Sequence, residues 1–240
     1  MSDRKGANVS DRPGGPADRP SVSTANGGQH SYDVVLLLAE ASDEAGVTPP
    51  PPRTALADAI EHAHDWPEAA QAARSAKAAL TIVDELPSPE RLAPFVAKVA
   101  AAAKKRKCAA IWWKPAARLV SPQLLAEAVR DEDPLRVALH VRLFHVETGV
   151  ADEHVVDTFG LDPLGLPDVL GHFVGLDPKL AGTVVANAAR YLFDEGDVIN
   201  EGDTLDAPDG KPWTCHREES LLEPAREVID LSPPKPHAAR

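Results

Sequence analysis

The sequence predicts an α+β fold: a mixed β-sheet with helices packed on it, preceded by a disordered N-terminal tail. In the first half of the chain, short runs of Val, Leu and Ile alternate with helical patterns, which predicts a βαβαβ-like half. In the second half, strand patterns joined by turn residues predict antiparallel strands. The 240 residues, 43% of them hydrophobic, suffice for a sizeable core.

Composition divides the chain into three regions. Residues 1–30 are rich in Gly, Ser, Asp, Arg and Pro and hold almost no large apolar side chain. Such a segment cannot bury enough surface to offset the entropy lost on ordering. We therefore predict a disordered tail over residues 1–30, a single α+β domain over residues 31–232 and a disordered C-terminus over residues 233–240.

The first half of the domain alternates apolar strands with capped helices. Residues 33–39 form a continuous apolar run that is typical of a strand buried on both faces, and residues 78–83 and 108–113 repeat this pattern. Ser88-Pro89 and Ser121-Pro122 place serine at an N-cap and proline at the first helical position, which predicts two helix starts. This order is compatible with a parallel βαβαβ unit with right-handed crossovers.

The clearest strand alternation lies between residues 136 and 146. Every second residue is apolar and is expected to face the core, whereas the intervening side chains include Arg136, His140 and Arg142. We expect a strand whose polar face is open to water or to a partner. Thr148-Gly149 predicts a turn into an antiparallel strand at residues 154–159.

The last third adds a helix after Asp177-Pro178 and a terminal hairpin around residues 208–210. It is also the most acidic part of the chain. Residues 194–230 hold twelve Asp and Glu against three Lys and Arg, a net charge of −9 out of −12 for the whole chain. That charge disfavours nucleic-acid binding and would suit a basic protein partner, although plain solubility is the favoured explanation.

The sequence contains no recognisable catalytic or ligand-binding motif. No glycine-rich turn, P-loop or Gly-x-Ser-x-Gly elbow follows any predicted strand, and the acidic stretch after residue 196 does not fit a calcium-binding loop. We therefore predict no catalytic residue, no metal ligand and no cofactor. No segment is apolar over the length that a membrane span needs, so no membrane partner is predicted. Cys108 and Cys215 are expected to be free thiols in a cytoplasmic protein.

A small set of polar and aromatic residues is left as candidates for contact with a partner. Trp112 and Trp113 are adjacent in a predicted strand, so one faces the core and the other is a candidate recognition anchor. The candidates are Trp113, Arg136, His140, Arg142 and Asp203.

Several segments together resemble the bacterial domain-of-unknown-function family 4261. These are residues 110–113 and 119–122, Val141-Arg142-Leu143-Phe144, residues 157–161 and 164–168, and the stretch 196–204. As an ordered set they place the resemblance between residues 80 and 216. The resemblance implies an intracellular bacterial α+β protein and brings no established activity.

Two functions are compatible with the sequence. The first is a non-enzymatic, intracellular protein-binding or accessory protein of the immunity-like or secretion-associated kind. The second is a cation-dependent hydrolase whose site would be drawn from His140, His154, Asp203 and His216. The missing catalytic pattern favours the first, and the oligomeric state is not predicted.

Overall fold

The computed structural model describes residues 31–85, 88–147, 149–235 and 237, so the predicted tail over residues 1–30 lies outside it. The strands are β1 (Ser31–Leu38), β2 (Val47–Thr48), β3 (Ala78–Glu85), β4 (Cys108–Trp113), β5 (Arg118–Val120), β6 (His140–His145), β7 (Glu153–Phe159), β8 (Asp168–Val174), β9 (Thr204–Asp206), β10 (Pro212–Glu219) and β11 (Glu227–Ser232). The α-helices are α1 (Ala57–Glu61), α2 (Ala69–Arg74), α3 (Pro89–Lys104), α4 (Pro122–Arg130), α5 (Leu135–Ala138) and α6 (Pro178–Glu195).

The predicted α+β class is confirmed, but the strands form two sheets where one was expected. The first sheet has the order β2-β3-β1-β4-β5 and the second has the order β6-β7-β8-β11-β10-β9. In the second sheet the neighbours pair antiparallel except β8 and β11, which are parallel, so this sheet is mixed.

The first sheet corrects the parallel pairing proposed for the N-terminal half. The order β–α–β–α–β is present along the chain, but β1 pairs antiparallel with both β3 and β4. Strands β3 and β4 therefore run parallel to each other on opposite sides of β1, and α3 connects them. An apolar run shows that a strand is buried without showing the direction of its neighbours, so the sequence left this point open.

Helices cover both faces of the first sheet. Strand β1 alternates between two clusters of buried residues: Val34 and Leu36 pack with α3, whereas Val35 and Leu37 pack with α1 and α2. The prediction that this strand is buried on both faces is therefore confirmed.

The predicted helix caps form at α4 and α6. The Ser121 hydroxyl accepts a hydrogen bond from Leu124 N–H, and the Asp177 carboxylate accepts one from Lys179 N–H. Helix α3 begins at Pro89 and contains Pro94 without interruption. Each cap satisfies a backbone donor that the first helical turn leaves free.

One cluster of buried apolar residues runs through both sheets, from Phe95 of α3 to Val184 of α6 and Phe173 of β8. Helix α6 thereby covers one face of the second sheet. Beyond β11, the backbone N–H of Val174 donates to the carbonyl oxygen of His237. The division of the chain into a tail, one domain and a C-terminal segment stays a prediction.

Candidate functional site

Strand β6 is the outermost strand of the second sheet and has one unpaired edge. Val146 N–H donates to the Glu153 carbonyl oxygen, which fixes the pattern of the β6–β7 ladder. Because hydrogen-bonded pairs alternate in an antiparallel ladder, the backbone groups of Val141, Leu143 and His145 point away from β7. Among the described residues, no further hydrogen bond reaches these outward groups.

The side chains of β6 face in the directions opposite to those predicted. His140 and Arg142 are buried at 5% and 6% exposure, whereas Val141 and Leu143 are 40% and 46% exposed. The strand also begins at His140, because residues 135–138 form α5. The predicted open polar face of this segment is therefore wrong, and its open face is apolar.

The other sheet edges of the described chain are short or filled. Strands β2, β5 and β9 have two or three residues each. Strand β3 extends past its short neighbour β2, and on this part of the strand the carbonyl oxygens of Val83 and Glu85 accept hydrogen bonds from Lys98 and Arg91, respectively. Exposed edges are normally blunted in such ways because they can pair with other chains. The six-residue edge of β6, with two exposed aliphatic side chains, departs from that rule.

At the end of the second sheet opposite β6, the described residues likewise leave no long free edge. Beyond β9, Cys215 exchanges backbone hydrogen bonds with Asp203 and Gly202. The N–H of Arg217 donates to the Glu201 carboxylate at 2.7 Å. This end of the sheet is closed by the turn that the sequence identified as acidic and solvated.

The inner face of β6 carries one end of a buried ion-pair network. Arg142 donates to both carboxylate oxygens of Asp157, at 3.0 Å from Nε and 2.5 Å from Nη2. Arg226 donates from Nη2 to Asp157 at 2.7 Å and from Nε to Asp168 at 3.0 Å. All four side chains are buried. Two positive and two negative charges offset one another, as burial in a low-dielectric interior requires.

Neighbouring groups satisfy the rest of this network. The guanidinium carbons of Arg142 and Arg226 lie 4.8 and 4.9 Å from the ring centroid of Phe159. These cation–π contacts stabilise the two buried positive charges. The Asp168 carboxylate also accepts from the Thr158 hydroxyl at 3.0 Å. Burial raises the pKa of Asp168 to about 6, against the opposing effect of Arg226. The network links β6, β7 and β8, and it holds the Arg142 side chain in the interior.

His140 anchors the start of β6 to the first half of the molecule. Its Nδ1 and Nε2 atoms lie 3.2 Å from the carbonyl oxygens of Ala116 and His62, respectively. Burial lowers the pKa of His140, and the positive charge of Arg118 adds to this effect. A neutral imidazole donates to only one of these carbonyl oxygens. His140 therefore has a structural position and is not available to a partner.

The four residues proposed for a hydrolase site lie apart. His140 and His154 do not meet across the β6–β7 hairpin, because His140 lies opposite Phe159 and the cross-strand neighbour of His154 is His145. His216 lies in β10, four strands away from β6, where it contacts Glu201 at 2.7 Å. Within the part of the chain that the structure describes, no group of three His, Cys, Asp or Glu residues could hold a metal ion.

The other candidates for partner contact occupy defined positions. Trp113 is fully buried and donates to the Tyr32 hydroxyl at 3.0 Å, so its proposed role as an exposed anchor is wrong. Arg136 lies at the surface and pairs with Glu127 and Asp131. Asp203 accepts a hydrogen bond from Asn200 N–H at 2.7 Å in an exposed turn. None of these three forms part of the β6 edge.

Most of the ion-pair network lies within a segment that matches a protein-family model. Residues 157–232 match the family model Domain of unknown function (DUF4261). The predicted resemblance is thereby confirmed between residues 157 and 216, and the matched segment, residues 157–232, contains Asp157, Phe159, Asp168 and Arg226. The predicted similarity between residues 80 and 156 lies outside it. No curated protein and no solved structure matches the chain.

Two signals in the sequence point to features that the sequence interpretation missed. Arg142 and Asp157 are opposite charges in neighbouring strands of one predicted hairpin, and a turn centred between Gly149 and Val150 places them face to face. Arg226 stands directly before the apolar run of β11. The second charge pair could not be found by spacing, because 58 residues separate Asp168 from Arg226.

Asp230 of β11 gives a pH-dependent prediction. Burial, and then the nearby Glu218, raise its pKa to about 6, above the ordinary 3.8. The folded protein holds this proton more tightly than the unfolded chain does, so protonation of Asp230 stabilises the fold. That stabilisation is fully present below pH 4 and is lost as the pH rises through 6. We expect Asp230→Asn to raise the free energy of unfolding at pH 7.5 by on the order of 1 kcal/mol and to leave it unchanged at pH 4.

Urea denaturation at the two pH values measures this difference. Asp206→Asn, at an exposed position of β9, is the matched control and is expected to change stability at neither pH. A destabilising effect of Asp230→Asn at pH 7.5 would show that the charged carboxylate contributes favourably to the fold.

Proposed function

We propose that this protein is a non-enzymatic protein-binding or accessory protein that engages its partner by strand addition at the edge of β6. In this mode, an extended segment of the partner pairs with the free backbone groups of an edge strand, and pockets or apolar side chains select its residues. The proposal extends to a cytoplasmic, bacterial protein of the immunity-like or secretion-associated kind. No helix among the described residues has both the length and the apolar character to cross a membrane.

The main observation that supports this proposal is the exposed edge of β6. Its outward backbone groups at Val141, Leu143 and His145 lack a partner within the described chain, and two of these residues expose aliphatic side chains. Keeping such an edge costs solubility and invites aggregation. A contact surface would explain why the exposed edge is kept. The buried polar face of the same strand needs no partner, because the ion-pair network already explains it.

The chemistry of the edge specifies the partner segment. An added strand would place alternate side chains beside Val141 and Leu143, so these positions suit apolar residues. At the far edge of the same sheet, exposed carboxylates favour a basic surface and disfavour nucleic acid. They include Glu201, Asp206, Asp209, Glu218, Glu219 and Glu227. A partner that spans the sheet would combine an apolar extended segment with basic residues.

The alternative, a cation-dependent hydrolase, has no comparable support. A surface cavity of about 190 Å³ lies beside α4 and is lined by residues that include Asp65, Trp66 and Glu127. None of His140, His154, Asp203 and His216 contributes to it. This cavity therefore gives the hydrolase hypothesis no support.

Affinity capture from the native lysate tests the proposal. We expect the wild-type chain to retain one stoichiometric protein and Leu143→Lys to lose it, because a charged side chain at the centre of the edge opposes strand pairing. Val198→Lys is the matched control, since Val198 is also 40% exposed but lies in the loop after α6. It is expected to retain the partner.

Hydrogen exchange on the captured complex locates the contact. Backbone amides of Val141, Leu143 and His145 should become protected, because they are the donors that the added strand would use. Equal capture by wild type and Leu143→Lys, or protection confined to other segments, would refute binding at this edge.

A further inference from the structure

In the absence of another partner, the β6 edge can pair with the same edge of a second copy. We infer that β6 of a second copy occupies it, antiparallel and centred on Leu143, so that two chains form a twofold dimer with a continuous sheet. This inference rests on the proposed use of β6 as a strand-addition edge. It adds the identity of the strand that occupies this edge in the isolated protein.

Side-chain chemistry favours the register centred on Leu143. The outward-pointing backbone groups of Val141, Leu143 and His145 would meet the same groups of the second copy in reverse order. Val141 would face His145 of the partner subunit, and Leu143 would face the partner subunit's Leu143. The exposed aliphatic side chains would then cover one another on the open face of the strand.

The opposite face of β6 is compatible with the same register. Arg142 would stand opposite Phe144 of the partner subunit, and Arg142 already lies 5.3 Å from the ring of Phe144 in its own chain. A guanidinium beside an aromatic ring is a favourable neighbour. A register centred on Arg142 would instead oppose two guanidinium groups, and like charges directly opposite are destabilising.

The remaining edges limit the assembly to two chains. Pairing β6 with β9 of another copy would place the aliphatic edge against a three-residue strand that ends at the exposed Asp206. Strand β5 is also short, and Arg118 at its start donates to the carbonyl oxygens of Arg136 and Leu139. A contact between identical patches is closed by twofold symmetry, so it does not propagate into a fibre.

Such a dimer would also regulate partner binding. The second copy and the partner segment would use the same backbone groups of Val141, Leu143 and His145, so each excludes the other. The edge is then shielded until a partner displaces the second copy. Capture of the partner should accordingly convert dimer into a one-to-one complex.

Disulfide cross-linking of the full chain tests both the contact and its register. In Leu143→Cys, the two introduced thiols would face each other across the twofold axis, within the separation that a disulfide spans. In Val141→Cys they would be offset by four residues, about 14 Å along the strands, which is beyond that reach. We expect mild oxidation to link most Leu143→Cys chains into a species of twice the 25.5 kDa chain mass. Val141→Cys should stay unlinked, and the pair Val141→Cys with His145→Cys should link again.

Light scattering of the unmodified protein supplies a second measurement. Wild type should have twice the chain mass at high concentration, and Leu143→Lys should have the mass of one chain. Monomeric wild type at all concentrations, or equal linking of the two single cysteine variants, would overturn the inference. If wild type is monomeric but captures a partner through β6, only the dimer is wrong. If the dimer forms and no partner is captured, the proposed function is wrong.

Discussion

Replacing Arg226 with methionine is expected to lower the free energy of unfolding by about 3–5 kcal/mol, because removing one partner of a buried ion pair leaves an uncompensated charge. Arg226 is the ion-pair partner of Asp168 and also donates to Asp157. Arg142 still neutralises Asp157 in the variant, so Asp168 is the group left without a counter-charge. Urea denaturation at pH 7.5, followed by circular dichroism, measures the loss.

Arg217→Met is the matched control for this experiment. Arg217 lies in β10 and pairs with Asp197 and Glu227 at a partly exposed position, where an ion pair contributes less than about 1 kcal/mol. Arg226→Lys should rescue little, because a lysine ammonium cannot reproduce the forked contacts to two carboxylates. A loss below 1 kcal/mol for Arg226→Met would show that the network does not hold the second sheet together.

The second large effect is expected at Gly160, directly after β7. Its φ angle of +133° lies in a region that residues with a side chain rarely adopt, and an added Cβ would overlap the carbonyl oxygen of Ala138. The overlap cannot be relieved by a side-chain rotation, because the obstructing atom belongs to the backbone. Backbone strain and steric overlap therefore both oppose the substitution. We expect Gly160→Ala to cost about 3 kcal/mol or more, measured by thermal and urea denaturation.

Gly165→Ala separates the two causes. Gly165 also has a positive φ angle, +77°, but no atom lies within 4 Å of an added Cβ. It should therefore show the backbone strain alone, roughly 1 kcal/mol. Equal effects at the two glycines would mean that the close approach of Ala138 to Gly160 does not contribute.

The two positions bear on function because both support β6. Arg226 fixes the carboxylate that holds Arg142, and Gly160 allows the end of β7 to approach residue 138, just before β6 begins. A partly unfolded variant at either position would lose partner binding indirectly. The surface variants at Leu143 avoid this ambiguity, because that side chain is 46% exposed.

Local patterns in the sequence were sufficient to predict several of the individual elements. The cap-plus-proline pairs at Ser121 and Asp177 predicted α4 and α6, because capping depends on residues within one turn. The apolar run of β1 predicted a strand buried on both faces for a similar reason, because the composition of a short segment indicates whether it is buried. The resemblance to the DUF4261 family was also readable from the sequence, and the family model confirms it between residues 157 and 216.

The direction of pairing and the inner face of β6 were decided only by tertiary structure. An alternating strand can present either set of side chains to the core, and hydrophobicity alone assigned Val141 and Leu143 to the inside. Arg142 goes inside instead because the Asp157 carboxylate supplies the compensating charge. Asp168 balances the second cation, Arg226, which is 69 residues from Asp157 in the chain. By itself, the sequence determined elements such as β1, α4 and α6, whose signals are local. The counter-charges gathered from distant segments decided which face of β6 is buried, and therefore which face and edge are left for a partner.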